Sequence, residues 1–216
     1  MKADRPVLVL SGASAAGKTA VANAIIEQDG RFTFLRSATT RPKRGDGNDG
    51  EYIYLTRKEF LSAIERGEVL EHMEYAGNLY GTLFSEIERA EREGKIPLLV
   101  LDINGMKSLY KNERLSACTV FVYAPLSLVE KRLRARFTVG EDEGKIKERI
   151  ERNREDYLAM TSLAPYIYSF AENSGALEDC TARVLSVFED FLRGKPKEEG
   201  EVLSVANYLE ADALVI

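Results

Sequence analysis

The segment GASAAGKT places four residues between Gly12 and Gly17-Lys18-Thr19. It follows the apolar run PVLVLS and precedes KTAVANAIIEQ, in which Val21, Ala22, Ala24, Ile25 and Ile26 have helical spacing. A strand that turns on small residues into a helix aims backbone N–H groups inward, and the helix dipole adds positive potential at the same spot. In that context the G-x-x-x-x-G-K-[ST] pattern is a phosphate cradle. Gly12, Ala13, Ser14, Ala15, Ala16, Gly17, Lys18, Thr19 and Ala20 would wrap a nucleoside triphosphate. Lys18 would reach its β- and γ-phosphates, and Thr19 would offer a hydroxyl to Mg²⁺.

A second set of anion ligands follows in SATTRPKRGDGNDGEY, residues 37–52. Ser37, Thr39 and Thr40 precede Arg41, Lys43 and Arg44, in a chain whose formal net charge is −5. Arginine's planar fork suits bidentate contact with phosphate oxygens. Taken alone, such a run is equally a solvated turn, but Tyr52 and Tyr80 end short β-like pieces nearby, and Tyr80 lies among Gly77, Asn78 and Gly81. Further on, Arg132 and Arg136 share a helix face at i, i+4, and Arg149 and Arg152 do so at i, i+3. Asp102 ends the run IPLLVLD at the carboxyl edge of a predicted parallel sheet, where ligands bind in such folds. It suits the water shell of Mg²⁺, the acceptor side, or a helix N-cap.

The elements that must position these residues are legible as alternation. PVLVLS, IPLLVLDI and CTVFVYAP read as strands buried on both faces, YIYSFAEN as a later one, with helical patterns between them. That order predicts an α/β fold with a parallel sheet and right-handed crossovers. Residues 37–95 break the rhythm with EYIYLT, LEHMEYA and two short helices, RKEFLSAIERG and FSEIERAEREG, which predicts an inserted small α+β subdomain. FTVGEDEGK, 137–145, reads as the tip of a lid, and GKPKEEGE, 194–201, as a linker. The 216 residues suffice for one α/β domain with insertions. The acidic balance argues against a nucleic-acid surface. Two isolated cysteines and one histidine exclude a disulfide framework and a His metal cluster. The N-terminal apolar run is too short for a signal peptide or a membrane span, so a cytoplasmic protein without a membrane partner is expected.

Taken together, GASAAGKT, SATTRPKR…GEYIY, EHMEYAGNLYGT, LDINGMKS, KRLRAR and ENSGALED resemble the guanylate kinases across nearly all of residues 5–192. The resemblance implies a P-loop three-layer fold with a parallel β-sheet core (1–36 and 96–193), a GMP-binding α+β insertion (37–95) and a helical lid (about 132–152). Residues 194–216 form a linker and tail outside it. It implies transfer of the ATP γ-phosphoryl to GMP with Mg²⁺ as cofactor, in a monomer or homodimer. It assigns the GMP phosphate to Arg41, Arg44, Tyr52 and Tyr80 with Ser37 nearby, the guanine edge to Glu71 and Thr82, and Asp102 to the GMP side or the metal. It puts Arg132, Arg136 and Arg149 around the phosphates, so that Lys18, Arg41, Arg132, Arg136 and Arg149 are the candidate catalytic residues. Asn173 aligns with a residue near the adenine; an ordinary turn asparagine fits as well. Glu71 is chemically apt on its own, since a carboxylate accepts from the guanine N1–H and 2-amino group side by side and adenine offers no such pair.

Three features depart from the family pattern. Ala15 stands where a glycine is usual, which would stiffen the loop tip; Asn104 stands where a second acid is usual; and the segment DINGMKS is short. Two rival readings remain at this stage. One is a P-loop kinase with another phosphorylated acceptor, and the other is a non-catalytic guanylate-kinase-like module that binds peptides.

Overall fold

The computed structural model describes residues 6–43, 52–75, 77–110, 115–136 and 143–215. Five strands form one parallel sheet: β1 (Pro6–Ser11), β2 (Phe32–Phe34), β7 (Ile96–Val100), β8 (Ser116–Tyr123) and β9 (Ser169–Glu172), in spatial order β2-β7-β1-β8-β9. Their continuous apolar runs are explained by cover on both faces. Leu8 and Leu10 point to one side, against Val21 and Ile25 of α1 (Lys18–Gln28) and Val184 and Phe188 of α8 (Leu177–Leu192). Val7 and Val9 alternate to the other side, against Ile87 of α3 (Phe84–Arg92) and Leu109 of α4 (Ile103–Tyr110). The result is the three-layer α/β arrangement that the alternating pattern predicts.

A second sheet, order β4-β3-β6-β5, comprises β3 (Ser37–Thr39), β4 (Tyr52–Tyr54), β5 (Val69–Tyr75) and β6 (Asn78–Leu83). It packs Ala38 and Leu79 on Phe60 of α2 (Arg57–Glu65). That helix starts at a Thr56–Glu59 capping box, in which each residue satisfies the other's backbone N–H. The short strands β2 and β3 were not visible in the apolar pattern, because three residues are too few to show a period.

The chain enters the second sheet at Arg36 and leaves it at Phe84, and Glu86 joins the two crossings. Its buried carboxylate accepts from the Arg36 backbone N–H (3.0 Å), from Arg36 Nη2 (2.6 Å) and from Arg89 Nε (3.1 Å) and Nη2 (3.0 Å). Burial alone would push this carboxyl upward. The hydrogen bonds from Arg36 and Arg89 outweigh it and hold the group down at about 2.

The lid region comprises α5 (Leu126–Arg136) and α6 (Glu143–Leu158), followed by a short helix α7 (Met160–Leu163) and a 3₁₀ turn (Ala164–Tyr166). Most of the expected lid tip, 137–142, lies outside the described residues. The stretch read as a linker is partly helical. Helix α9 (Glu199–Val215) begins inside it, because Val202, Ala206, Leu209 and Ala213 fall on one face and bury against the core. Asp212 Oδ2 accepts from Leu126 N at 2.7 Å, capping α5, and Arg154 Nε of α6 donates to the Ala213 carbonyl at 3.1 Å. The tail therefore docks on this chain's own body, against both helices of the lid region.

The lowered Glu86 pKa gives a stability term with a definite sign. It is present above the carboxyl's ordinary 4.5 and is lost as the pH falls toward 2. Glu86→Gln should cost about 1.5–3 kcal/mol at pH 7, the worth of charge-assisted hydrogen bonds. The gap from wild type should narrow progressively as the pH is lowered below 4.5. Urea unfolding of both proteins at pH 7 and at pH 3 checks this, and a gap independent of pH would contradict it.

Candidate functional site

The loop after β1 is shaped by its glycines. Gly12 sits at φ 147°, and a Cβ there would lie 2.2 Å from the Val122 carbonyl oxygen of the neighbouring strand. Gly17 sits at φ 98° as the N-cap of α1 and has no side chain to offer the first-turn N–H groups. The cap side chain therefore makes no bond to them, and the helix dipole adds positive potential at the same end. Lys18 Nζ folds back onto the carbonyls of Gly12 (2.7 Å) and Ala13 (2.9 Å), which holds the ammonium over the loop. Ala15, at φ 66°, is the one non-glycine residue at positive φ among the described residues.

Two asparagines from distant parts of the chain buttress this loop. Asn173, just past β9 and 5 % exposed, donates from Nδ2 to the Ala16 carbonyl at 2.8 Å. Asn153, in the middle of α6, holds the backbone of Ser14. Sequence reasoning singled out Asn173 for the adenine side and overlooked Asn153, which has no local motif to mark it.

The candidate acceptor residues line up across the second sheet. Ser37 is in register with Tyr52 on one side and with Thr82 on the other, and Thr82 is in register with Glu71. Tyr52, Ser37, Thr82 and Glu71 thus form one transverse row, spanning three strand spacings or roughly 14 Å. Tyr80 falls in the next row on the same face, beside Thr39. The guanidinium of Arg41 lies over the Tyr52 ring, 5.3 Å from its centroid, at the same end of the row. Arg44 lies outside the described residues. Glu71, at the other end, is 5 % exposed and accepts from Thr82 Oγ1 at 2.8 Å. Burial pushes its carboxyl up, the Thr82 hydrogen bond opposes this, and the nearby charge of Asp102 adds to it; the group stands at about 7.

Two spaces receive most of these groups. Thr19, Ser37, Tyr52 and Thr82 line a hollow of about 230 Å³. Lys18, Tyr80, Asp102, Arg149, Arg152 and Asp156 line a cleft of about 620 Å³ that also touches Gly12 and Ser14. Asp102 Oδ1 accepts from Gly105 N at 2.7 Å, so it is the N-cap of α4 and a cleft residue at once. Arg152, paired with Arg149 by its i, i+3 spacing, faces the cleft. Arg132 stands outside it, partly buried near Cys180, with Nη1 buried and lacking a hydrogen-bond partner. Arg136 lies in the last turn of α5, and Arg154 serves α9. Asp156 escaped sequence reasoning. Burial and the charge of Asp102 raise its carboxyl to about 6, against the pull of Lys18 and Arg152.

The loop after β1 and Tyr80 of the second sheet line one cleft, and the row residues Ser37, Tyr52 and Thr82 line a hollow with Thr19. The profile of the family described as guanylate kinase matches residues 4–190. The chain belongs to the guanylate kinase family. It is 36 % identical over 183 residues to the guanylate kinase of Thermotoga maritima, covering 84 % of each chain. It is 33 % identical to that of Chlorobium luteolum, over 88 % of this chain and 93 % of the relative. The crystal structure of guanylate kinase from Anaplasma phagocytophilum shares the fold, with TM-score 0.61 and 23 % identity over 88 % of both chains. The match to the guanylate kinase profile ends ahead of α9, so the helix that braces α5 and α6 lies beyond it.

The state of Glu71 is open to direct test. Its carboxyl should titrate near pH 7 in the substrate-free protein, followed by carboxyl-carbon NMR, and Thr82→Val should move the midpoint higher by removing the donor that opposes the rise. A raised carboxylate favours the fold below its ordinary 4.5 and loses that contribution as the pH climbs through 7. Glu71→Gln should therefore raise Tm at pH 8 and leave it nearly unchanged at pH 4. Equal effects at both pH values would rule out a raised Glu71.

Proposed function

We propose that this member of the guanylate kinase family transfers the γ-phosphoryl group of ATP to the phosphate of GMP, giving ADP and GDP. The observation that carries the reading is the buried Glu71–Thr82 pair at the end of a row that runs toward Arg41 and Tyr52. A nucleoside monophosphate laid along that row would put its phosphate beside Arg41, Ser37 and Tyr52 and its base against Glu71. Ionised Glu71 would accept from the guanine N1–H and 2-amino group, and Thr82 Oγ1 would turn its hydroxyl toward O6. Residues 37–95 form the monophosphate side in this reading, and 1–36 with 96–193 the ATP side.

Both reactants are anions, so the chief obstacle is electrostatic. Lys18, Arg149 and Arg152 would offset charge on the transferring group, while Arg41 neutralises the acceptor. The acceptor is already a phosphate oxyanion, so no general base is needed, and positioning supplies most of the acceleration. Mg²⁺ suits the residues present. Among the described residues no three His, Cys, Asp or Glu come together as a cage, and Mg²⁺ takes one or two protein oxygens together with water and substrate phosphates. Thr19 would hold it directly and Asp102 through water; when bound, it would neutralise charge on the β- and γ-phosphates. Among the described residues no helix is long and apolar enough to cross a membrane.

Coupled ADP-release assays over GMP, IMP and AMP test the assignment. The expected order in kcat/KM is GMP, IMP, AMP, with AMP down by about 10⁴-fold because it leaves Glu71 facing no donor. Glu71→Gln should compress that ladder by harming GMP. Because Glu71 must be ionised to accept, KM for GMP should rise as the pH falls below 7 in the wild type beyond the change shown by Glu71→Gln. Lys18→Ala should fold normally and lose at least about a hundredfold in kcat. AMP turnover rivalling GMP would remove the guanine assignment and leave a P-loop kinase of another acceptor.

A further inference from the structure

The stripe of α6 that borders the cleft, Arg149, Arg152, Asn153 and Asp156, contains one fully buried member. Asn153 is 1 % exposed, in a helix whose other buried residue is Tyr157. Asparagine is a mediocre helix former, and burying its amide is costly unless both ends are bonded. Both are. Oδ1 accepts from Ser14 N at 2.8 Å, and Nδ2 donates to Ser14 O at 3.0 Å. A planar amide that bonds both backbone groups of one residue fixes that residue's orientation as well as its distance. The next residue is Ala15 at φ 66°. A non-glycine residue persists in this region only where its surroundings over-determine it.

We propose that Asn153 is a positioning residue for phosphoryl transfer: its amide sets the shape of the phosphate-loop tip and the height of the cleft-facing side of α6 above it. This rests on the reading of residues 12–19 as the ATP phosphate cradle. The anchor is firm because this part of α6 is itself fastened to the body. Tyr157 Oη donates to the Ala124 carbonyl at 2.7 Å, and Arg154 is tied to α9. Arg149 stands one turn before Asn153 on the same face, so the bond that fixes the loop also fixes where that guanidinium enters the cleft. The pairing occupies both backbone polar groups of Ser14, so the loop tip is held by its main chain.

The test uses Asn153→Ala, Asn153→Asp and Ala15→Gly in the full chain, with a non-hydrolysable ATP analogue as calorimetric probe. Asn153→Ala should weaken the analogue by about tenfold, from two neutral hydrogen bonds lost, with KM for GMP changed less than about twofold, as expected when an interaction serves one substrate alone. Asn153→Asp keeps the acceptor for Ser14 N–H but sets an anionic oxygen against the Ser14 carbonyl. It should be worse than alanine for the analogue even at equal Tm. Ala15→Gly should be mild alone and more damaging in the Asn153→Ala background than the two separate effects predict, because a glycine tip depends wholly on the clamp. A lowered Tm with unchanged analogue affinity, equal damage to both substrates, or additive double-mutant effects would overturn the proposal. A wild-type protein that fails to bind the analogue would instead overturn the phosphate-cradle reading.

Discussion

The arrangement depends on holding a short run of backbone, residues 12–17, in a fixed shape where β1 turns into α1. Such a loop has no ladder of its own, so side chains must satisfy it. Lys18 takes two carbonyls from inside the motif, Asn173 takes the Ala16 carbonyl from the end of β9, and Asn153 takes Ser14 from α6. The parallel sheet makes this convergence possible. Its strands all end at one edge, so the loop after β1, Asp102 after β7 and Asn173 after β9 meet there despite large separations in sequence. The same edge faces the second sheet, so Gly12, Ser14 and Lys18 share a cleft with Met73 and Tyr80.

Two buried glutamates show how environment divides one residue type between binding and construction. Glu71 and Glu86 are both close to fully buried. Glu86 is surrounded by donors from Arg36 and Arg89 and stays ionised far below ordinary carboxyl values. It ties together the two chain crossings between the sheets. Glu71 accepts from Thr82, through its hydroxyl and its backbone, has an unfavourable neighbour in Asp102, and stands near 7. A carboxylate left short of donors in a buried place is poised to take them from a ligand. Under the proposed guanine contact, the stability forgone at Glu71 would be the counterpart of selectivity, while the well-satisfied Glu86 fastens the two crossings.

What the sequence revealed and what it withheld follow from the range of the interactions. GASAAGKT was readable because its chemistry lies within eight consecutive residues, and the buried strands because a continuous apolar run is a local signal. The acceptor residues were identified through resemblance to a family; that Tyr52, Ser37, Thr82 and Glu71 share one row is a matter of strand register, which no single strand announces. Asn153 and the Arg36–Glu86–Arg89 network left no trace. Each is an ordinary polar residue on a polar helix or at a strand end until a partner 50 or 139 residues away gives it a role. Residues 194–216 read only as a linker and tail, because the two polar attachments at Asp212 and Ala213 depend on where α5 and α6 pass.

The departure at Ala15 acquires a physical sense from these contacts. A glycine at the loop tip can adopt positive φ at little steric cost, but it must be immobilised each time a ligand binds, whereas an alanine held at φ 66° carries strain in the folded protein and has fewer conformations to lose. Strain of that kind, of order 1–3 kcal/mol, persists only under external restraint. The Asn153 amide supplies a restraint at the adjacent residue, and the helix bearing it is held by α9. Loop, clamp and tail helix thus form one chain of dependence. A stiffer phosphate loop requires a firmer post, and the post is secured by a segment beyond the part of the chain that the family profile matches. Preorganisation of this kind lowers the ordering cost of binding ATP at the expense of adaptability in the loop.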